Sequence, residues 1–366
     1  MILIYLAPVP WHSIAQRPHF FVKSMLDSGD VDKVYWIDPI PSRFPRISDL
    51  RRLFQRIEPD SFPKPENLIV VNPGVFIPIE PLSKLFRVIN YSSFEILLRK
   101  IKEIIDFYLE DSIVLVVGKP SQLALTALDR FSFNITIADI MDDFPCFFTG
   151  MAQTSMRQMM IQLISKVQCT WFSSHNLKNK YSSLTNSYKV ILNASSSLLV
   201  KHKRLNSPEK VIYGYIGSIN SWFDWSFINK LAEAQPDREI WIVGPRYVTL
   251  PLLAGNIKVL PAVDHDKIGE YLACFSYGII PFKKNELTES VDPVKYYEYI
   301  AYGLPVISTS FGEMSIRIKQ GFACSLEQHL QGIKCQQEVE TTWEHRFTRE
   351  ALSYGIIYNS RRSGLI

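Results

Sequence analysis

Residues Glu289–Thr309 read ESVDPVKYYEYIAYGLPVIST, and the order of residue types spells one α/β step. Pro293 is a favoured first-turn residue, so a helix is predicted to open there. Gly303 ends it, and Pro305 introduces Val306-Ile307-Ser308-Thr309, a short apolar run with strand character. Lys295 and Glu298 stand three apart and therefore share a helix face. A polar loop, an amphipathic helix and a buried strand in succession is the unit from which parallel sheets are built.

The same step repeats outward in both directions. Upstream, strands are predicted at Ile2–Ala7, Lys33–Asp38, Leu68–Val71, Ile113–Val117, Ile135–Asp139, Cys169–Ser173 and Tyr188–Asn193, with amphipathic stretches between several of them. The polar stretch Lys201–Lys210 (KHKRLNSPEK) interrupts the pattern and reads as a linker. Beyond it the alternation restarts at Val211–Gly217 and runs to Thr309, with a further helix predicted around Trp343–Tyr354. The expected organisation is one α/β unit over residues 1–200 and a second over 201–340. Residues 341–366 would form a C-terminal helix and tail that cross back to the first unit. Two such units facing each other would make a central cleft at the carboxyl ends of their strands, where ligands of open α/β sheets lie.

Composition narrows the function. A chain of 366 residues, 47% apolar and 21% charged, suits two packed globular domains and excludes a disordered or low-complexity polymer. A net charge of +4 is too mild to indicate a nucleic-acid binder. Five cysteines (Cys146, Cys169, Cys274, Cys324 and Cys335), odd in number and without a CxxC, argue against a disulfide framework and for a reducing compartment. The opening MILIYLAPVPW has no basic leader or cleavage site and reads as a first strand, and no run approaches the ~18 apolar residues of a membrane span. The expected location is the cytoplasm. No GxGxxG, GxxxxGK[ST] or GxSxG is present, which weighs against a dinucleotide enzyme, a P-loop ATPase and a serine hydrolase.

The helix start at Pro293 is suited to a phosphate group, because its unpaired N–H groups and dipole favour negative charge. A carboxylate one turn on, at Glu298, can accept hydrogen bonds from the paired hydroxyls of a ribose. The commoner use of such spacing is a surface Lys–Glu pair. The run Pro293, Lys295, Glu298, Tyr299, Ala301, Gly303, Pro305, Val306 closely resembles the donor-nucleotide signature of GT-B glycosyltransferases of the bacterial cell-surface polysaccharide type. That resemblance implies two Rossmann-like domains facing a cleft, with Glu298 on the nucleotide ribose and Lys295 near the diphosphate. It implies a nucleotide-sugar donor, a UDP-sugar first, and a saccharide or lipid-linked saccharide acceptor. It implies no resident cofactor and no metal, helix dipoles and basic residues taking the metal's place. Retaining members often carry a Glu eight residues before the ribose-binding one; here that position is Ser290, beside Glu289. Weaker segments in the same order support the resemblance: Trp11-His12 with Gln16-Arg17-Pro18-His19, Ala138–Asp143, Trp171–Ser174, Leu192-Asn193, Tyr215–Ser218 and Trp241–Pro245.

Asp142 and Asp143 follow the strand Ile135–Asp139, where a base for an acceptor hydroxyl belongs. Adjacent side chains point different ways, so one is expected to be catalytic. Asp143 is preferred because Asp142, nearer the strand, is better placed for local backbone contacts. His12, after the first strand, is next in line. Gly217 and Ser218 offer backbone N–H groups to the diphosphate, and Tyr299 and Pro293 complete the expected donor set. The segment Ser42–Arg56 carries five Arg and one Asp, and Leu82–Ile89 adds charge and an aromatic that looks exposed. A solvated helix face is the ordinary reading. The sharper expectation is a patch of Arg17, Arg51, Arg52 and Arg56 that meets the acceptor or an anionic membrane. The rival functions are a nucleotide-sugar epimerase of the same architecture and a sugar-nucleotide-binding subunit without turnover.

Overall fold

The computed structural model describes residues 1–41, 62–80, 82–196, 210–263 and 267–347. The chain divides into two compact units; of the described residues, 1–192 and 344–347 fall in the first and 193–343 in the second. The predicted linker lies, except for Lys210, outside the described residues, as does the predicted C-terminal helix beyond 347.

The first unit is built on seven parallel strands: β1 (Ile2–Leu6), β2 (Lys33–Ile37), β3 (Leu68–Val71), β4 (Ile113–Val117), β5 (Ile135–Ile140), β6 (Cys169–Phe172) and β7 (Tyr188–Val190). Their order is β3-β2-β1-β4-β5-β6-β7, so the sheet reverses direction of growth between β1 and β4. The helices are α1 (Arg17–Asp27), α2 (Ser83–Ile89), α3 (Tyr91–Phe107), α4 (Gln122–Arg130), α5 (Gly150–Lys166) and α6 (His175–Tyr181). Helix α3 buries Phe94, Leu97, Leu98 and Ile101 at helical spacing, and α5 buries Met156, Met159, Met160 and Leu163. Strands β1 and β4, covered on both faces, are buried at every position, which is why they read as unbroken apolar runs.

The second unit repeats the design with five strands, β8 (Ile212–Ile216), β9 (Glu239–Val243), β10 (Ile257–Leu260), β11 (Tyr277–Ile280) and β12 (Val306–Ser308). All are parallel, in the order β10-β9-β8-β11-β12. Its helices are α7 (Trp225–Ala234), α8 (Ile268–Cys274), α9 (Val294–Ala301), α10 (Gly312–Gln320) and α11 (Leu326–Leu330); a short α12 (Trp343–Arg346) follows at the division between the units.

The cysteine expectation needs correction. Cys324 and Cys335 form a disulfide, with Cα atoms 5.9 Å apart. Backbone pairing carries them together: Ser308 N–H donates to Cys324 O, and Gln336 N–H donates to Gly321 O. A separation of 11 residues gives no hint of this pairing.

Candidate functional site

The two ends of interest lie at the carboxyl edges of the two sheets, and each is built separately. In the second unit, β8 ends at Ile216 and turns at Gly217-Ser218. Gly217 holds φ +148°, and a Cβ there would come within 2.1 Å of Lys295 Cε. Only glycine lets the Lys295 side chain pass this close to the turn. The Lys295 ammonium ends 5.7 Å from the centre of the Tyr215 ring. The Gly217 N–H donates to Val243 O at 2.8 Å, which removes it from the expected diphosphate donors. Ser218 N–H has no acceptor among the described residues.

Lys295 and Glu298 both lie half-buried on α9. No ion pair joins them, and neither makes a hydrogen bond to a described residue, so the ordinary surface pair does not form. Burial pushes the Lys295 ammonium below its usual pKa, and the nearby Glu298 charge only partly restores it. A desolvated cation in ion-pair contact with no described carboxylate is an unfinished arrangement; a diphosphate would complete it.

Tyr299 is placed differently from the expectation. Its ring is buried under Gly278, its hydroxyl accepts from Ile216 N–H at 3.2 Å, and burial raises its pKa. It fastens α9 to β8 and β11 and does not offer its hydroxyl to a ligand. Pro293 is likewise buried; it precedes α9, and its carbonyl accepts from Tyr296 N–H at 3.0 Å.

Sequence reasoning missed what holds this helix start. Asp292, buried one residue before Pro293, accepts from Arg317 Nη1 at 2.8 Å, Tyr297 Oη at 2.9 Å and Asn193 N–H at 2.7 Å. Its carbonyl accepts from Asn193 Nδ2 at 2.6 Å. Arg317, buried on α10, also donates to Tyr297 Oη at 2.6 Å and lies 4.1 Å from the Tyr296 ring centre. Arg317→Met should leave the Asp292 carboxylate buried beside fewer donors and cost about 3 kcal/mol, read as a lowered urea midpoint. An unchanged midpoint would mean that Tyr297 and Asn193 suffice. Ser290 is buried in the turn before Asp292, and Glu289 pairs with Lys284 at 3.4 Å.

In the first unit, β5 runs into Met141-Asp142-Asp143. Ser173 Oγ donates to Met141 O at 2.7 Å and pins the strand end. The structure surrounds the two aspartates differently from the expectation. Asp143 is buried and saturated: Lys180 Nζ donates to one oxygen at 2.5 Å and Tyr181 Oη to the other at 2.7 Å. Asp142 is half-buried, its carboxylate has no hydrogen-bond partner among the described residues, and its pKa is pushed up to about 7. Desolvation is the larger cause, and the Asp143 charge adds to it. A carboxylate that titrates near neutrality and has no internal partner is suited to proton transfer.

His12 is exposed on the loop after β1, with no partner among the described residues. Its neighbours anchor that loop: Trp11 N–H donates to Asp38 Oδ1 at 2.9 Å, and His19 Nε2 contacts Trp11 O at 3.0 Å. Arg17 corrects the patch expectation. It is buried, grips Asp139 with Nε and Nη2 at 2.9–3.2 Å, and donates Nη1 to Ile191 O at 2.7 Å. A guanidinium committed to a buried carboxylate cannot rest on an acceptor or a membrane. Arg51, Arg52 and Arg56 lie outside the described residues. Phe223 is core, packed on Tyr215.

No family model matches the chain. Over 117 residues it is 28% identical to a Bacillus subtilis (strain 168) protein named as a teichuronic acid biosynthesis glycosyltransferase, TuaH. That match spans 30% of this chain and 30% of the relative. Among solved structures, a sucrose-phosphate synthase from Thermosynechococcus elongatus superposes with a TM-score of 0.60 at 11% identity, covering 99% of this chain and 93% of that one. Anabaena Alr3699/HepE in complex with UDP gives 0.55 at 13% identity, covering 99% and 98%. The fold is therefore α/β of the GT-B class, two Rossmann-like units with parallel sheets.

Proposed function

We propose that this chain is a glycosyltransferase that moves a sugar from a nucleoside-diphosphate donor, UDP first, to a saccharide or lipid-linked saccharide acceptor in surface polysaccharide assembly. The observation that carries the reading is Lys295: half-buried, without an ion-pair partner, pressed onto Gly217 at the end of β8, with an uncommitted Glu298 one turn further along α9. The TuaH likeness and the UDP held by the HepE structure support the choice of reaction and donor.

In this reading the donor's diphosphate takes Lys295, the Ser218 N–H and the first N–H groups of α9, and its ribose diol takes Glu298. As the sugar–phosphate bond breaks, negative charge grows on the leaving diphosphate, and fixed donors stabilise it without reorganisation. Asp142 receives the acceptor's hydroxyl proton. The reading needs no resident metal or cofactor, because Lys295 and the helix supply the positive charge; transfer that survives a chelator would agree with it.

The test is calorimetric. UDP should bind the parent, and Glu298→Ala should weaken it by about tenfold or more, because the ribose hydroxyls lose a charged acceptor worth roughly 1.5–3 kcal/mol. Unchanged UDP affinity in a folded variant would remove Glu298 from the ribose. Release of an isomerised sugar without added acceptor would favour the epimerase rival.

A further inference from the structure

Most aromatic burial in this chain is plain core. Phe86, against the expectation of an exposed aromatic in Leu82–Ile89, is fully buried and packed on Phe76 and Phe94. Tyr296 on α9 is as deeply buried, but its hydroxyl needs an acceptor, and that acceptor arrives from a distant segment. Glu338 accepts from Tyr296 Oη at 2.6 Å, the one hydrogen bond of that hydroxyl to a described residue. The same Glu338 oxygen lies 3.7 Å from Arg317 Nε. Arg317 in turn lies over the Tyr296 ring and holds Asp292, the residue before Pro293. Glu338 thus closes the cluster that fixes the first turn of α9.

What keeps Glu338 in place is covalent. From Lys334 to Glu340 the main chain makes one hydrogen bond to the main chain of another described residue, Gln336 N–H to Gly321 O at 2.8 Å. Cys335, three residues before Glu338, is bonded to Cys324. Three residues span at most about 10 Å, so the disulfide sets where Glu338 stands. Cys324 is built into the sheet edge beside β12: its N–H donates to Val306 O and its carbonyl accepts from Ser308 N–H, both at 2.9 Å. On the far side the segment is next caught at Thr341, whose carbonyl accepts from Ser195 N–H at 3.1 Å. Without the S–S bond, the Gln336 and Thr341 hydrogen bonds would be the main-chain ties on either side of Glu338.

We propose that the Cys324–Cys335 bond is a redox latch on α9: a dithiol reductant opens it, Glu338 leaves Tyr296, and the first turn of α9 loosens. Cys335 is the sulfur within reach, half-buried where Cys324 is buried. A thiolate of the reductant attacks Cys335 Sγ and displaces Cys324 as a thiolate. The reductant's second thiolate then attacks its own sulfur in the mixed disulfide and releases Cys335. The reductant leaves as its own disulfide, and the protein has gained two electrons and two protons. Because α9 carries Lys295 and Glu298, reduction also weakens UDP binding; that consequence, unlike the latch itself, rests on the donor-site reading given above.

The experiment compares the full chain, oxidised and after dithiothreitol, by amide hydrogen exchange read with mass spectrometry. Reduction should speed exchange in peptides covering residues 292–303 by about tenfold and leave those covering 113–117 unchanged. UDP affinity should fall by about tenfold. Cys335→Ser should match the reduced parent without any reductant. Glu338→Ala, with the disulfide intact, should speed the same amides, and reduction should then add little, because both changes remove one contact. Glu338→Gln, whose amide oxygen still accepts from Tyr296 Oη, should keep the slow exchange. Three results would overturn the proposal: free thiols at Cys324 and Cys335 in protein prepared without reductant, equal α9 exchange in the two states, or a full response to reduction in Glu338→Ala. Faster α9 exchange on reduction, with no UDP binding in either state, would uphold the latch and remove the donor from this helix.

Discussion

Asp142→Asn is expected to lower kcat by about 10²–10⁴-fold, the usual contribution of a positioned general base, while UDP affinity stays at the parental value. The reason is its setting: a half-buried carboxylate with no internal hydrogen-bond partner, pushed up to about 7 by desolvation and the neighbouring Asp143 charge. The base acts as the carboxylate, so parental kcat/KM should rise with pH through about 7 and level off above it, and the variant should lose that limb. Stability must move the other way. A folded pKa above the unfolded value of about 3.9 means that the unfolded chain ionises first, so Asp142 costs stability increasingly from about pH 4 to about pH 7. The Asn variant should therefore melt at or above the parent's temperature, by a margin that grows across that interval.

Asp143→Asn should do the reverse, with lower stability by roughly 1–3 kcal/mol, because the amide keeps only one of the two acceptor oxygens that Lys180 and Tyr181 use and carries no charge for the ammonium. Full turnover in the Asp142 variant would send the search to His12. A product that keeps the donor's anomeric configuration, read by NMR, would exclude a base role of this kind altogether.

The unlike surroundings of these two aspartates mark where the sequence stops being legible. Strands rich in Ile and Val, such as Ile113–Val117, announce themselves, and so does a helix bracketed by Pro293 and Gly303; local residue types carry that information. Helices α10 and α11 were missed because GEMSIRIKQ and LEQHL have too little apolar periodicity to declare a face. Partnerships across long separations leave no local trace. Asp143 is saturated by residues 37 and 38 positions on, and Arg17 is claimed by Asp139, 122 positions away. Proximity to the strand suggests that Asp142 is consumed by backbone contacts; instead it is Asp143 that is consumed, by the side chains of Lys180 and Tyr181. Asp292 was passed over for the same reason, since its partners Asn193 and Arg317 stand 99 and 25 positions away. The Lys295–Glu298 motif was readable, but that the pair stays apart depends on Gly217, 78 positions earlier, admitting the lysine.

Lys295→Met is expected to separate function from stability most sharply. Removing a fixed cation from the leaving diphosphate should lower kcat by about 10²–10³-fold and weaken UDP binding as well. The unliganded variant should nevertheless melt no lower than the parent, because a desolvated ammonium without an ion-pair partner gives way to an apolar chain of similar length. Gly217→Ala approaches the same contact from the other side. Its Cβ would meet Lys295 Cε at 2.1 Å in a backbone conformation that alanine rarely adopts, so the lysine must move. That variant should lose UDP affinity with Lys295 still present, and lose stability too. Shared loss of affinity with opposite stability effects would identify the Lys295–Gly217 contact as the diphosphate seat. A Lys295→Met variant that melts well below the parent and binds UDP as tightly would instead make the lysine a structural post for α9, and the donor would have to be sought elsewhere on the second unit.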